Sequence, residues 1–173
     1  AYLFERFPTF TQTFCYHEVR EIDRQGMAPA IHSIRRPERE PAQDFAAELA
    51  ARVCYLPADA ELTALVKRLH GERRIPRAMR KLLMAWPGQL DKHRVYAAAW
   101  LGPRLRRQRV RHVHVHFAGI AARTAYWLRR FHGISYSVTG HANDIFREDS
   151  GLPITLDDVL GGASFVATVS EFS

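Results

Sequence analysis

The sequence predicts an α/β domain of Rossmann-like, three-layer α/β/α form built on a parallel sheet. Three observations predict it. Short apolar runs alternate with segments of helical periodicity, most cleanly in the last third of the chain. The segments between these runs read as helices, so they form right-handed crossovers between parallel strands. The 173 residues, 47% hydrophobic and 25% charged, make one globular domain with a single sizeable core.

Tyr2-Leu3-Phe4 reads as a first strand, and Pro8-Thr9 turns the chain after it. Thr9 and Gln12 have capping-box spacing, with Thr11 as a rival cap. Phe10, Phe14, Val19 and Ile22 follow at helical intervals, and Gly26 ends that helix. Ala30 to Ile34 is a second strand, and Pro37 to Pro41 a charged loop. Phe45, Leu49 and Val53 lie on one helical face, and Cys54-Tyr55-Leu56 suggests a short strand. Leu62, Leu65, Val66 and Leu69 make a further helix between an Asp59 cap and Gly71. Pro76 suits a first helical position, with Pro87 closing that helix. Leu90 to Leu101 is the next helix, stopped by Gly102-Pro103.

Val110 to Phe117 is then a strand. Ile120, Thr124, Leu128 and Phe131 face one way on a helix that ends at Gly133. Its last turn holds Arg129, Arg130 and His132, where the helix dipole favours cations. Ile134 to Thr139 is a strand, and Asn143 to Phe146 starts a helical turn. Leu156 to Leu160 is helical, Gly161-Gly162 breaks it, and Ser164 to Val169 is the last strand.

Composition excludes several classes. No apolar run reaches the roughly 18 residues that span a bilayer, and Glu5 and Arg6 interrupt the only leader-like start. Cys15 and Cys54, both in apolar surroundings, read as reduced core thiols of a cytoplasmic protein. None of the glycines builds a dinucleotide fingerprint or a Walker loop, and no Asp-x-Asp or Gly-x-Ser-x-Gly occurs. His17-Glu18 lacks the second histidine of a zinc protease and reads as helix surface. Lys and Arg number 25 against 18 acidic residues, a net charge of +7 that favours anionic partners. Arginines 104, 106, 107, 109 and 111 form one basic group, and Arg73, Arg74, Arg77, Arg80 and Lys81 a second. Each is either a solvated face or a contact with phosphate or an anionic membrane.

Ligands of such sheets bind at the carboxyl ends of the strands. That places Pro8, Thr9, His116, Gly119, His141, Asp144, Ser170 and Glu171 on the rim to watch. His141 is the strongest candidate, because it follows a strand after one glycine and can donate to a sugar hydroxyl or phosphate. His112, His114 and His116 share one strand face. They are too widely spaced for one ion, with no carboxylate nearby in sequence, so no metal is expected. Packing and hydrogen bonds explain the first two; His116 sits at the cleft end. Asp144 either braces its loop or meets ligand, and Ser170 either caps a helix or offers its hydroxyl.

Three segments together resemble the amino-terminal domain of family 4 glycosyltransferases, retaining enzymes of the GT-B architecture. They are Tyr2 to Phe14 with Glu18 and Glu21 to Gly26; His114 to Gly119 with Ser137 to Phe146; and Thr168 to Phe172. The match spans almost the whole chain and is loosest between residues 41 and 108. It implies an acceptor-side domain over residues 1–173. It also implies a second, donor-binding domain beyond Ser173, carrying the family's Glu-x7-Glu, without which this half should not turn over. Glu40 and Glu48 have that spacing by coincidence. The resemblance further implies a nucleotide-sugar donor, a glycan or lipid-linked acceptor and no cofactor or metal. His141 would orient the sugar at the reacting centre. Pro8 to Thr13, with Thr11, Thr13 and His116, would line the cleft. Self-association through the exposed interdomain face and peripheral attachment to the inner membrane surface are further expectations. The rival reading is a basic α/β module for nucleic acid or another anionic polymer. It predicts steep salt dependence of binding to generic nucleic acid, whereas the transferase reading predicts little.

Overall fold

The computed structural model describes residues 1–41, 44–45, 47–85, 91–141 and 154–170. Six strands form one sheet: β1 (Tyr2–Arg6), β2 (Ile31–Arg35), β3 (Val53–Tyr55), β4 (His112–His116), β5 (Ser135–Gly140) and β6 (Val166–Thr168). Every pairing is parallel, in the order β3-β2-β1-β4-β5-β6. The chain winds outward through β2 and β3, returns to the middle, and winds out the other way. The switch point lies between β1 and β4, where a crevice opens in such sheets.

Strand alternation sorts the side chains into two layers. Leu3, Val113, Val115, Tyr136 and Val138 enter the larger core. There they meet α3 (Asp59–Gly71), α4 (Arg77–Ala85), α5 (Lys92–Arg107), α6 (Ile120–His132) and α7 (Leu156–Gly161). Tyr2 and Phe4 point the other way, into a smaller core with α1 (Thr13–Arg24) and α2 (Ala47–Ala51). α7 starts with the capping box Thr155/Asp158, and Gly133 ends α6 in the left-handed region at φ 68°. No helix among the described residues is long and apolar enough to cross a membrane.

Several local expectations are corrected. Gly102-Pro103 does not stop its helix; α5 runs through to Arg107. An interior proline costs about 3 kcal/mol. Leu101 and Leu105, one on each side of it, are both fully buried, and each contributes about 1.5–3 kcal/mol. Packing therefore outweighs the break. Val53 leaves the helix pattern and pairs with Ile31 as a strand residue, where its β-branch fits the pleat. Phe10 and Phe14 are exposed, and Cys15, Tyr16 and Val19 form the buried face of α1. Cys54 is exposed, unlike Cys15, and both thiols are free. Neither Thr9 nor Asp59 caps a helix: Thr9 precedes a 3-10 turn (Phe10–Gln12) without a side-chain cap bond, and Ala58 takes the cap position of α3. The helical turn expected at 143–146 lies outside the described residues, as does Pro87.

Candidate functional site

Parallel register between β4 and β5 builds a polar ladder on one sheet face. His112 pairs with Ser135, His114 with Ser137 and His116 with Thr139. His112 Nδ1 lies 2.8 Å from Ser135 Oγ, and its Nε2 lies 2.8 Å from Ser137 Oγ. His114 repeats the pattern one rung up, with Nδ1 2.8 Å from Ser137 Oγ and Nε2 3.1 Å from Thr139 Oγ1. The next rung is His116, whose Nδ1 lies 3.5 Å from His141 Nε2. His141 thus extends the 135-137-139 series past the strand end. The hydrogen bonding expected of His112 and His114 is what the structure holds.

His141 stands at the carboxyl rim, half-buried, with its ring 4.3 Å from that of Phe117 and 4.9 Å from that of Phe14. Behind His116 stands Glu18, its Oε1 3.3 Å from His116 Nε2 but off the direction a hydrogen bond needs. Tyr2 donates its hydroxyl to the same oxygen at 2.6 Å. Glu18 is therefore a sheet-facing carboxylate, not the helix surface its sequence context suggests. The neighbouring His116 and the Tyr2 hydroxyl hold its carboxyl at about 2, against the upward push of burial.

The fold thus brings a carboxylate to the histidines. One donor atom each from Glu18, His114 and His116 lie within 4.8 Å of one another. His114, however, already commits both ring nitrogens to Ser137 and Thr139. An ion there would have to displace the Thr139 bond.

At the switch point a cleft of about 730 Å³ opens beside this ladder. Thr9, His116 and Gly119 line it, as the strand-end argument expects, and so does Thr11, which the resemblance places there. Pro8 and Thr13 flank those residues in sequence but do not line the cleft, and His141 borders it through His116 and Phe117. Ser170 does not join them; it is exposed beyond the edge strand β6, and its carbonyl accepts from Thr168 Oγ1. Asp144 and Glu171 lie outside the described residues.

Three residues lining this cleft each carry a buried polar atom with no hydrogen-bond partner among the described residues: Thr9 Oγ1, Arg94 Nη1 and His116 Nε2, the last of which faces Glu18. Each such atom carries a desolvation penalty of about 1–3 kcal/mol. Arg94 and the cleft carboxylates Asp59 and Asp91 were invisible to motif reading. Arg94 sits in the first turn of α5 beside a run of apolar residues, and nothing in its spacing separates a buried arginine from a solvated one. Comparison of the chain with protein-family models, with curated proteins and with solved structures found no match.

The ladder has a consequence for stability. Burial, with the neighbouring His116 adding to it, holds His114 at about 4, and burial also holds His32 at about 4. The unfolded chain takes up these protons near 6.5, so the native state loses stability as pH falls from about 6.5 towards 4. Each imidazole accounts for about 3 kcal/mol of that loss. The depressed Glu18 adds to it between about 4.5 and 2. Urea unfolding should therefore give a midpoint that is flat from pH 8 to 7 and falls steeply below 6.5. A midpoint unchanged down to pH 4.5 contradicts this placement of the histidines.

Proposed function

We propose that this domain is the acceptor-side half of a retaining glycosyltransferase. In this reading it works with a donor-binding domain to move a sugar from a nucleotide-sugar to a hydroxyl of a glycan or lipid-linked acceptor. The observation that carries the reading is the cleft at the switch point, lined by Thr9, Thr11, Arg94, His116 and Gly119 and bordered by His141. A site of this kind takes a ligand rich in hydroxyl or oxyanion groups. The resemblance of the flanking segments to family 4 transferases narrows that ligand to a sugar substrate.

Sugar transfer requires donor and acceptor held close and the leaving diphosphate stabilised. In this reading the cleft supplies the first. His141 reads the transferred sugar, with its ring set by Phe117 and Phe14 and its Nε2 facing His116. Thr9 and Thr11 offer hydroxyls to the acceptor. The test is direct. The polypeptide as its reading frame encodes it is incubated with labelled nucleotide-sugars and a membrane extract, and label is followed into lipid and glycan. Transfer from one donor, with release of its nucleoside diphosphate, is the expected result. No release from any of the uridine, guanosine, adenosine and thymidine diphosphate sugars removes the reading.

The basic groups bear on where the enzyme works. The arginines at 106, 107, 109 and 111 are exposed at the amino end of β4, on the rim opposite the cleft. The exposed Arg73, Arg74, Arg77 and Lys81 lie at and before α4. A juxtaposed anionic bilayer would gain about 1 kcal/mol per basic residue near its surface. Flotation with vesicles of phosphatidylglycerol is expected to carry the protein up, and salt to release it. Equal flotation with neutral phosphatidylcholine vesicles removes the membrane role.

A further inference from the structure

We propose that Arg94 and the amino terminus of α6 together form a phosphoryl-binding subsite in the cleft. Arg94 is only 6% exposed, yet its Nη1 has no partner among the described residues. Its nearest ion-pair partner is Asp59, whose Oδ1 lies 3.8 Å from Nη2, beyond hydrogen-bond reach. A guanidinium keeps its charge under such burial, so this donor fork is held ready without a matching acceptor.

The second half of the subsite comes from α6, a helix of thirteen residues. Its cap, Gly119, has no side chain to satisfy the first backbone N–H groups, and its first turn holds no acidic residue. Among the described residues, a Cβ at Gly119 would meet nothing within 4 Å. Gly119, Ile120 and Ala121 line the same cleft as Arg94. Unfilled N–H groups and the positive end of the helix dipole attract an oxyanion there.

Two other arginines lining the cleft are already hydrogen-bonded, and Arg6 is solvent-exposed. Arg123 Nη1 donates to the Ile154 carbonyl at 2.6 Å, and Arg35 Nη1 to Glu5 at 3.3 Å. The carboxylate of Asp91 is held by the indole N–H of Trp127 at 3.1 Å. Arg94 is a cleft arginine that is buried and whose Nη1 lacks a hydrogen-bond acceptor among the described residues. A tetrahedral phosphoryl group suits donors converging from two elements, since it presents three acceptor oxygens in different directions. Assigning that group to a substrate rests on the transferase reading; the subsite itself does not. Its two sources would be a nucleotide diphosphate and a lipid-linked diphosphate.

The 173-residue chain is titrated by calorimetry with inorganic pyrophosphate, with uridine diphosphate, and with farnesyl diphosphate below its micelle concentration. Uridine and farnesol serve as uncharged controls. Saturable pyrophosphate binding is expected, weakened at least tenfold in R94Q and unchanged in R20Q on the exposed face of α1. Tighter binding of uridine diphosphate than pyrophosphate assigns the group to the donor, and tighter binding of farnesyl diphosphate assigns it to the acceptor. If R94Q does not fold, R94K still decides, because it keeps the charge and loses the fork: at least threefold weakening supports the subsite. Absence of saturable binding at 10 mM pyrophosphate, or full affinity in the folded Arg94 variant, overturns it. Pyrophosphate binding without sugar transfer by the encoded polypeptide keeps the subsite and removes the transferase reading.

Discussion

On the proposed transferase reading, replacing His141 with alanine is expected to lower sugar transfer about a thousandfold while leaving the fold intact. The size follows from what the ring would do. A positioned donor that hydrogen-bonds charge developing at the reacting sugar contributes about 10²–10³ in rate. The geometry around it supports the upper half of that range. His141 is oriented by three aromatic neighbours, with Phe117 at 4.3 Å, Phe14 at 4.9 Å and His116 at 5.8 Å between ring centroids. Its Nε2 faces His116 Nδ1, and His116 in turn is backed by Glu18. A ring held this way loses little freedom when substrate arrives. The half-buried position means its removal costs little stability, so unfolding midpoints should stay close to that of the unaltered protein. His112→Gln is the matched control. It breaks two rungs of the same ladder, but four residues earlier on the strand, roughly 13 Å from His116. It should leave transfer within twofold. If H141A retains a third or more of the activity, the imidazole does not read the sugar.

Much of the architecture was legible because strands and their ends leave local signals. Val113 and Val115 alternate with three histidines, and Tyr136 and Val138 alternate with Ser135, Ser137 and Thr139. That period of two places one set in the core and the other in the ladder. The rule that ligands meet the carboxyl ends of parallel strands then found Thr9, His116 and Gly119 without knowledge of any contact. Residues that reach the cleft from helices left no such signal. Glu18 and Arg94 are brought in by the packing of α1 and α5. Whether a charged helical residue faces solvent or a cleft depends on the rotation of its helix against the sheet. The apolar pattern of α1 misreported that rotation, since Phe10 and Phe14 turn outward and Cys15 and Tyr16 turn in. Strand-end positions are thus a local property, and helix-borne site residues a tertiary one.

The path of α5 leads to the second large effect, which its dipeptide break concealed. Gly102→Ala is expected to destabilise the domain by about 3 kcal/mol. Intrinsic preferences point the other way. Alanine is favoured over glycine within a helix by about 1 kcal/mol, and it also stiffens the unfolded chain. Without a steric conflict the substitution would stabilise the protein, so the sign of the change decides. The conflict is with α6. A Cβ on Gly102 would lie 2.2 Å from Cδ2 and 2.4 Å from Cγ of His132. Because Cγ is the ring's point of attachment, the ring cannot turn aside by its far end alone. Either the imidazole changes rotamer or the two helices part, and overpacking of this kind costs about 1–3 kcal/mol or more. Parting the helices would also loosen Leu101, Leu105 and Leu128, all fully buried. The cause can be isolated with a second substitution. His132→Ala opens the space, so H132A/G102A should regain most of the loss, with a coupling of at least 1.5 kcal/mol in a double-mutant cycle. Urea unfolding of the four proteins at pH 7.5 measures this, above the range in which the buried histidines take up protons. A G102A protein as stable as the original, or an additive cycle, would show that α5 and α6 do not meet at this glycine.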